Sequence, residues 1–335
     1  MLLTEEIWIG VKCTNNTKKI LCLLLTGLLL AGCGEREIEF DHVYDISDTY
    51  TKIGETLDDS SDYPYFATEK CVAPDEFTAN EAVSDTVSEA IGLFDLTDSK
   101  VIYQKNIYEK LYPASVTKIM TCYLALKYGK LTDIVKVSEK AVDQASDSSV
   151  CGLEAGNELT LNDLLYGLML RSGNDAAVAV AEHISGSVEE FAELMNQEAA
   201  MLGATGTHFV NPNGLHSFEH FTTLYDIYLI FTEAMKTPGF SDIVGTAYYE
   251  PKVKRSDGSD YDLRWTNTNK YINGDNMPPE GVTITGGKTG TTSAAGYCLV
   301  VSGVNAAGHD VVGIVLKADS RYNLYFVMNQ ILTLN

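Results

Sequence analysis

Apolar residues run from Ala90 through Ile91, Gly92, Leu93 and Phe94 to Leu96, a polar turn spans Thr97 to Lys100, and Val101-Ile102-Tyr103 follows. Two β-prone runs joined by a short turn predict a hairpin. Between Pro113 and Tyr128 the residues Ile119, Met120, Tyr123, Leu124 and Leu126 leave few polar positions at helical spacing, and Gly129 stands where such a helix would stop. This helix is expected to be largely buried. Further helical patterns cover Leu161 to Leu170 behind Thr160, Asp175 to Ile184, Val188 to Leu202, and Tyr225 to Met235 behind Thr222-Thr223. Strand character returns at Val282 to Gly287, Tyr297 to Val304 and Val311 to Leu316, and Arg321 to Leu332 reads as a closing helix. Strands from both ends of the chain thus flank a block of helices, and they cover each other only if the ends meet in one sheet. The expected fold class is α/β of the α+β kind, an antiparallel sheet with flanking helices and a central helical subdomain.

The segment before this pattern is of another kind. Lys18 and Lys19 precede an apolar run from Ile20 to Leu30, about half of what a membrane-spanning helix needs, which is the profile of an export signal. It ends in Leu30-Ala31-Gly32-Cys33, which resembles the lipobox of bacterial lipoproteins, where a cysteine thiol takes diacylglycerol. Residues 34 to 85 carry Glu35, Glu37, Asp41, Asp45, Asp58 and Asp62 without an apolar period and read as a solvated tether. Three regions are expected: a leader over 1–32, a lipidated Cys33 with its acidic tether over 33–85, and a folded domain over 86–335. The protein would then sit on the outer face of the cell membrane, held by its N-terminal lipid.

Net charge of -22 in 335 residues opposes approach to nucleic acid or another polyanion. Beyond the leader and Cys33, Cys71, Cys122, Cys151 and Cys298 form no CxxC pair, so structural zinc is not expected, and buried or free thiols are.

Three short motifs carry candidate chemistry: Ser115-Val116-Thr117-Lys118, Ser172-Gly173-Asn174 and Lys288-Thr289-Gly290. Residues three apart on a helix share a face, so the Lys118 amine can reach the Ser115 hydroxyl. A serine alcohol attacks well only when a neighbouring base takes its proton, and Lys118 can be that base only if it is neutral. Burial and a second cation, for which Lys288 is the candidate, would favour the neutral form. Ser115 at a helix N-terminus would also have backbone N–H groups near any oxyanion it generates. Ser172-Gly173-Asn174 follows a helix at a turn, and Lys288-Thr289-Gly290 is placed at the end of the strand Val282 to Gly287, where a lysine offers a fixed cation to a carboxylate.

In this order the motifs are those of penicillin-binding proteins and serine β-lactamases. The sequence resembles the low-molecular-mass D-alanyl-D-alanine carboxypeptidases of serine peptidase family S11. The resemblance runs from about residue 86 to the end and includes Lys110 to Ser115, Gly152 to Gly156, Phe209 to Leu215 and Ala295 to Val300. It implies a β-lactamase and penicillin-binding-protein-like fold, peptidoglycan stem peptides as substrates, β-lactams as covalent inhibitors and no metal or cofactor. It also implies roles. Ser115 would be acylated by the penultimate D-Ala carbonyl while Lys118 takes its proton. Ser172 and Lys288 would relay a proton to the departing D-Ala, and Asn174 would bond the substrate backbone. The backbone N–H groups of Ser115 and Thr291 would form the oxyanion hole, with Thr289 and Gly290 beside the substrate carboxylate.

Two departures accompany the resemblance. Some relatives carry an arginine before the Lys-Thr-Gly motif, where this chain reads Asn267-Thr268-Asn269-Lys270, leaving a second carboxylate-binding cation unassigned. The C-terminal domain with a membrane anchor common in the family has no counterpart here, a role the N-terminal lipid would take. A class A-like β-lactamase needs a glutamate-positioned water, and no ExxLN-like segment lies between the second and third motifs. A zinc peptidase would have only His216 and His220 to build on, and a catalytically silent β-lactam-sensing lipoprotein would not need all of Ser115, Lys118, Ser172 and Lys288.

Overall fold

The computed structural model describes residues 69–72, 83–85 and 87–334. The leader, Cys33 and most of the acidic tether lie outside the described residues. The main sheet has five strands: β1 (Ser88–Asp95), β2 (Lys100–Lys105), β3 (Thr283–Thr292), β4 (Gly296–Val304) and β5 (Asp310–Ala318). Their order is β2-β1-β5-β4-β3, with β5 antiparallel to both β1 and β4. Ile91 pairs with Val315 and Val300 with Ile314, so the two ends of the chain meet at the centre of the sheet as expected.

Side chains alternate across a strand, which splits these five apolar strands between two cores. Phe94, Val300, Val312, Ile314 and Leu316 face a helical block, and Ile91, Leu93, Leu299, Val301 and Val315 face the opposite side. The block contains α1 (Lys118–Tyr128), α2 (Leu161–Tyr166), α3 (Asn174–Ser185), α4 (Val188–Met201) and α5 (Leu224–Lys236). The opposite face is covered by α6 (Arg321–Leu332), through Leu324, Val327, Met328 and Ile331. Eight residues of α1 are buried in a row, Lys118 among them.

The structure departs from the sequence pattern in several places. The run from Pro113 begins as a 3₁₀ turn over Ala114–Thr117 and becomes α-helical only at Lys118. The run from Leu161 is α-helical to Tyr166 and continues as a wider π turn over Gly167–Arg171. A small second sheet, with strands Ile134–Lys136, Glu158–Thr160, Val253–Lys254 and Asp260–Tyr261, was not expected, because segments this short show no period. The tether is not free all the way to residue 85: Cys71 is buried, its N–H donates to the Tyr228 hydroxyl (2.8 Å), and Asp85 pairs with Lys105 (2.8 Å).

Candidate active site

Ser115 lies in the 3₁₀ turn that leads into α1, behind Ala114, whose φ of 48° is left-handed and strained for a residue with a Cβ. The turn is held from outside. Gly214 packs so closely that a Cβ there would stand 1.8 Å from the Ala114 carbonyl oxygen. Gly290, in β3, also comes close: a Cβ there would lie 3.0 Å from the backbone nitrogens of Ser115 and Val116, tighter than an ordinary contact. The serine is clamped between a loop and a strand, both of which approach with bare backbone.

One helical step on, the Lys118 Nζ is 2.9 Å from the Ser115 Oγ. It also donates to the Asn174 Oδ1 (2.8 Å) and to the Asn213 carbonyl (2.6 Å). Lys118 is fully buried; burial first and the charge of Lys288 second hold its ammonium form well below the usual lysine range. A neutral amine has two N–H donors and one lone pair. The Asn174 Oδ1 and the Asn213 carbonyl are pure acceptors and take both donors, so the lone pair is left for the Ser115 hydroxyl.

The other motifs close around this pair. The π turn ends at Ser172, itself left-handed with φ 62°, and Gly173 then caps α3, whose first residue is Asn174. Both oxygens of Asp175 accept the Cys151 N–H (2.9 Å each), one also accepts from Leu153 (3.2 Å), and the Ser149 carbonyl accepts the Asn174 N–H (2.8 Å). Lys288-Thr289-Gly290 does not end a strand, as expected from the run Val282 to Gly287, but lies inside β3. Lys288 pairs with Val300 and shares its face toward the helical block. It is 1% exposed, its Nζ donates to the Thr289 carbonyl (2.9 Å), and burial lowers its pKa to about 7.

A cavity of about 320 Å³ opens beside Ser115, lined by Ser172, Thr268, Thr289 and Thr291 and by two cations, Lys270 and Arg321. Of these two cations Lys270 comes from the stretch before the Lys-Thr-Gly motif, and Arg321 from the start of α6, after it. Sequence reasoning missed Arg321 because nothing local marks one helix-start arginine as facing a site. A second cavity of about 480 Å³ also borders Ser115, lined by Asn174, Asn213, Leu215, Thr291 and Asp147 among others.

His216 and His220 do not form a ligand pair. The His220 Nδ1 accepts the Val210 N–H (3.1 Å), so its Nε2 carries the proton and donates to the Thr117 Oγ1 (2.8 Å). Burial lowers its pKa to about 4 and keeps it neutral. With the Thr121 hydroxyl donating to the Pro212 carbonyl (2.6 Å), it fastens the 209–220 loop to the helix that carries Lys118. The four cysteines among the described residues are buried and free, as expected.

This architecture is shared with solved structures of a DD-transpeptidase and a D-alanyl-D-alanine carboxypeptidase. The Streptomyces K15 DD-transpeptidase superimposes with a TM-score of 0.69 at 29% identity, over 75% of this chain and 97% of that one. The D-alanyl-D-alanine carboxypeptidase DacD from Francisella tularensis gives 0.66 at 25% identity, over 80% and 75%. In sequence, residues 75–320 match the S11 peptidase family described as D-alanyl-D-alanine carboxypeptidase, and the chain belongs to that family. Among curated relatives, D-alanyl-D-alanine carboxypeptidase DacF of Bacillus subtilis is 40% identical over 215 residues, 63% of this chain and 52% of that protein. DacC of Escherichia coli is 36% identical over 241 residues, 69% and 57%. The chain spans about half the length of these two.

Proposed function

We propose that this protein is a serine D,D-carboxypeptidase that removes the terminal D-Ala from peptidoglycan pentapeptide stems through an acyl-enzyme on Ser115. The observation that carries the reading is the buried Lys118 amine, whose two donors are taken by Asn174 and Asn213 while its lone pair faces Ser115. That is the arrangement a general base requires.

In the proposed reaction the Ser115 Oγ attacks the carbonyl carbon of the penultimate D-Ala, and Lys118 takes the hydroxyl proton. The oxyanion falls to the backbone N–H groups of Ser115 and Thr291, which require the close approach of β3 that Gly290 allows. Collapse of the tetrahedral intermediate breaks the C–N bond, and a proton passed through Ser172 and Lys288 leaves with the D-Ala amine. The terminal carboxylate is received by Thr289, Arg321 and Lys270 in the smaller cavity. Asn174 keeps its amide N–H₂ for the acyl-side backbone, since its oxygen is taken by Lys118. Water then hydrolyses the ester. No step calls for a metal.

The test is to incubate the protein with diacetyl-L-Lys-D-Ala-D-Ala and measure free D-Ala. Release that disappears in Ser115→Ala is expected; no release by the parent overturns the reading. The lipobox-like Leu30-Ala31-Gly32-Cys33 supports attachment to the outer face of the membrane through lipid on Cys33.

A further inference from the structure

The two cavities that meet at Ser115 differ in charge. The smaller one carries Lys270 and Arg321, with Asp275 at its edge, and suits a substrate carboxylate. Among the described residues around the larger one, the only side chain with a fixed formal charge is Asp147; the rest is serine, threonine, asparagine, small apolar groups and His216, whose ring packs edge-on against Tyr112 at 4.6 Å. Ser115, Ser149 and Thr291 line both, so a peptide with its scissile carbonyl at Ser115 and its C-terminus in the cationic cavity has the one that Asp147 borders open to its acyl side.

Asp147 is not on a free loop. The Ser148 N–H donates to the Ala145 carbonyl (2.9 Å) and the Ser149 Oγ to the Arg171 carbonyl (2.8 Å). The Ser149 carbonyl receives the Asn174 N–H, and Cys151 is tied to Asp175. The segment carrying Asp147 is therefore braced against the residues on both sides of Ser172. A carboxylate held at the rim of an otherwise uncharged cavity favours a cation there and disfavours a second carboxylate.

We infer that Asp147 is a specificity determinant for the acyl side of the substrate, favouring a diamino residue immediately before D-Ala-D-Ala whose distal end is a free ammonium without a carboxylate, as in L-lysine. A lysine ammonium is charged at pH 7, whereas acetylation removes the charge. A distal carboxylate, as on unamidated diaminopimelate, would bring like charge to the same rim. The inference rests on the proposed carboxypeptidase reading.

The experiment compares kcat/KM, at pH 7 and low salt, for Nα-acetyl-L-Lys-D-Ala-D-Ala, with its ammonium free, and for the diacetyl peptide. The parent is expected to prefer the free ammonium about threefold or more, the worth of a partly exposed ion pair. The preference should shrink in 0.5 M salt, fall to about one in Asp147→Asn and reverse in Asp147→Lys. Because each protein is scored by its own ratio, a loss of folded protein does not imitate the effect. Turnover of both peptides at equal rates by the parent, or a preference kept in Asp147→Asn, overturns the inference and leaves the proposed function standing. Failure of the parent to turn over either peptide overturns both.

Discussion

Lys288 makes a charge on Lys118 costlier than burial alone does: both amines are out of water, and the protonated form of one opposes that of the other. Each then has its own pH limb. Lys118 acts as base when neutral, so acylation is gained as pH rises through its lowered pKa and lost below it. Lys288, lowered to about 7, keeps its ammonium below that value, so any step that needs its proton is lost as pH rises past about 7. The kcat/KM profile for the diacetyl peptide should be bell-shaped with its alkaline limb near pH 7. Lys288→Arg should remove that limb and slow the step that needs the relayed proton, because a guanidinium stays protonated and passes no proton on. An alkaline limb at the same pH in the arginine variant would assign it to another group.

For Lys118 the same substitution should be ruinous. Lys118→Arg keeps a cation but supplies no lone pair, and the loss of acylation should be roughly 10²-fold or more, the range of general-base effects. Acylation by this variant at near the parent rate would remove Lys118 from that role.

Gly214 offers a structural test away from the reacting atoms. Its φ of 85° is strained for any residue with a Cβ, and the Cβ of alanine would overlap the Ala114 carbonyl. Gly214→Ala should therefore destabilise by about 2 kcal/mol or more. By shifting the Ser115 turn it should also slow acylation on the order of 10²-fold, the cost of small misplacements at a reacting centre. Thermal melting and acylation both unchanged from the parent would show that the loop does not set the turn.

What was legible in the sequence is what local geometry decides. Ser115 and Lys118 are three apart at the start of a buried helix, and that spacing delivers the 2.9 Å contact. Hydrophobic runs at both ends of the chain announced one sheet, and the structure sets a core on each of its faces. The rest depends on partners far along the chain. The Asn213 carbonyl reaches Lys118 across 95 residues, and a backbone oxygen leaves no compositional trace. The Lys-Thr-Gly motif was expected at a strand's end, yet β3 runs on through it to Thr292, and a Cβ on Gly290 would crowd the Ser115 turn while one on Gly286 would overlap Val244. In the acidic segment, Cys71 docks on Tyr228, Tyr225 and Asp95, and Asp85 on Lys105, through hydrogen bonds that no periodicity could signal.

Attachment to the membrane is tested at one atom. Cys33→Ala removes the thiol that would carry the lipid, and the protein should move from the detergent phase to the aqueous phase on partitioning. Unchanged partitioning of the variant would place the anchor elsewhere.

The last prediction separates a carboxypeptidase from a β-lactamase by how the acyl-enzyme is resolved. A penicillin presents its lactam carbonyl to Ser115 as the peptide presents its scissile carbonyl, and its carboxylate suits the cavity of Thr289, Arg321 and Lys270. Attack opens the ring, but the leaving nitrogen remains tethered within the adduct. In the peptide reaction the departure of free D-Ala empties the smaller cavity and admits water to the ester; with penicillin that space stays filled. A water could still be activated from the acyl side by a carboxylate, as a glutamate does in class A β-lactamases. The only carboxylate lining that cavity among the described residues is Asp147, which lies exposed at its rim. Intact-protein mass spectrometry at pH 7 should therefore show one added penicillin mass per chain, persisting for many minutes and absent from Ser115→Ala. Rapid catalytic consumption of penicillin without an accumulating adduct would make the protein a β-lactamase, and the arrangement around Ser115 would then have to supply a hydrolytic water that this geometry does not provide.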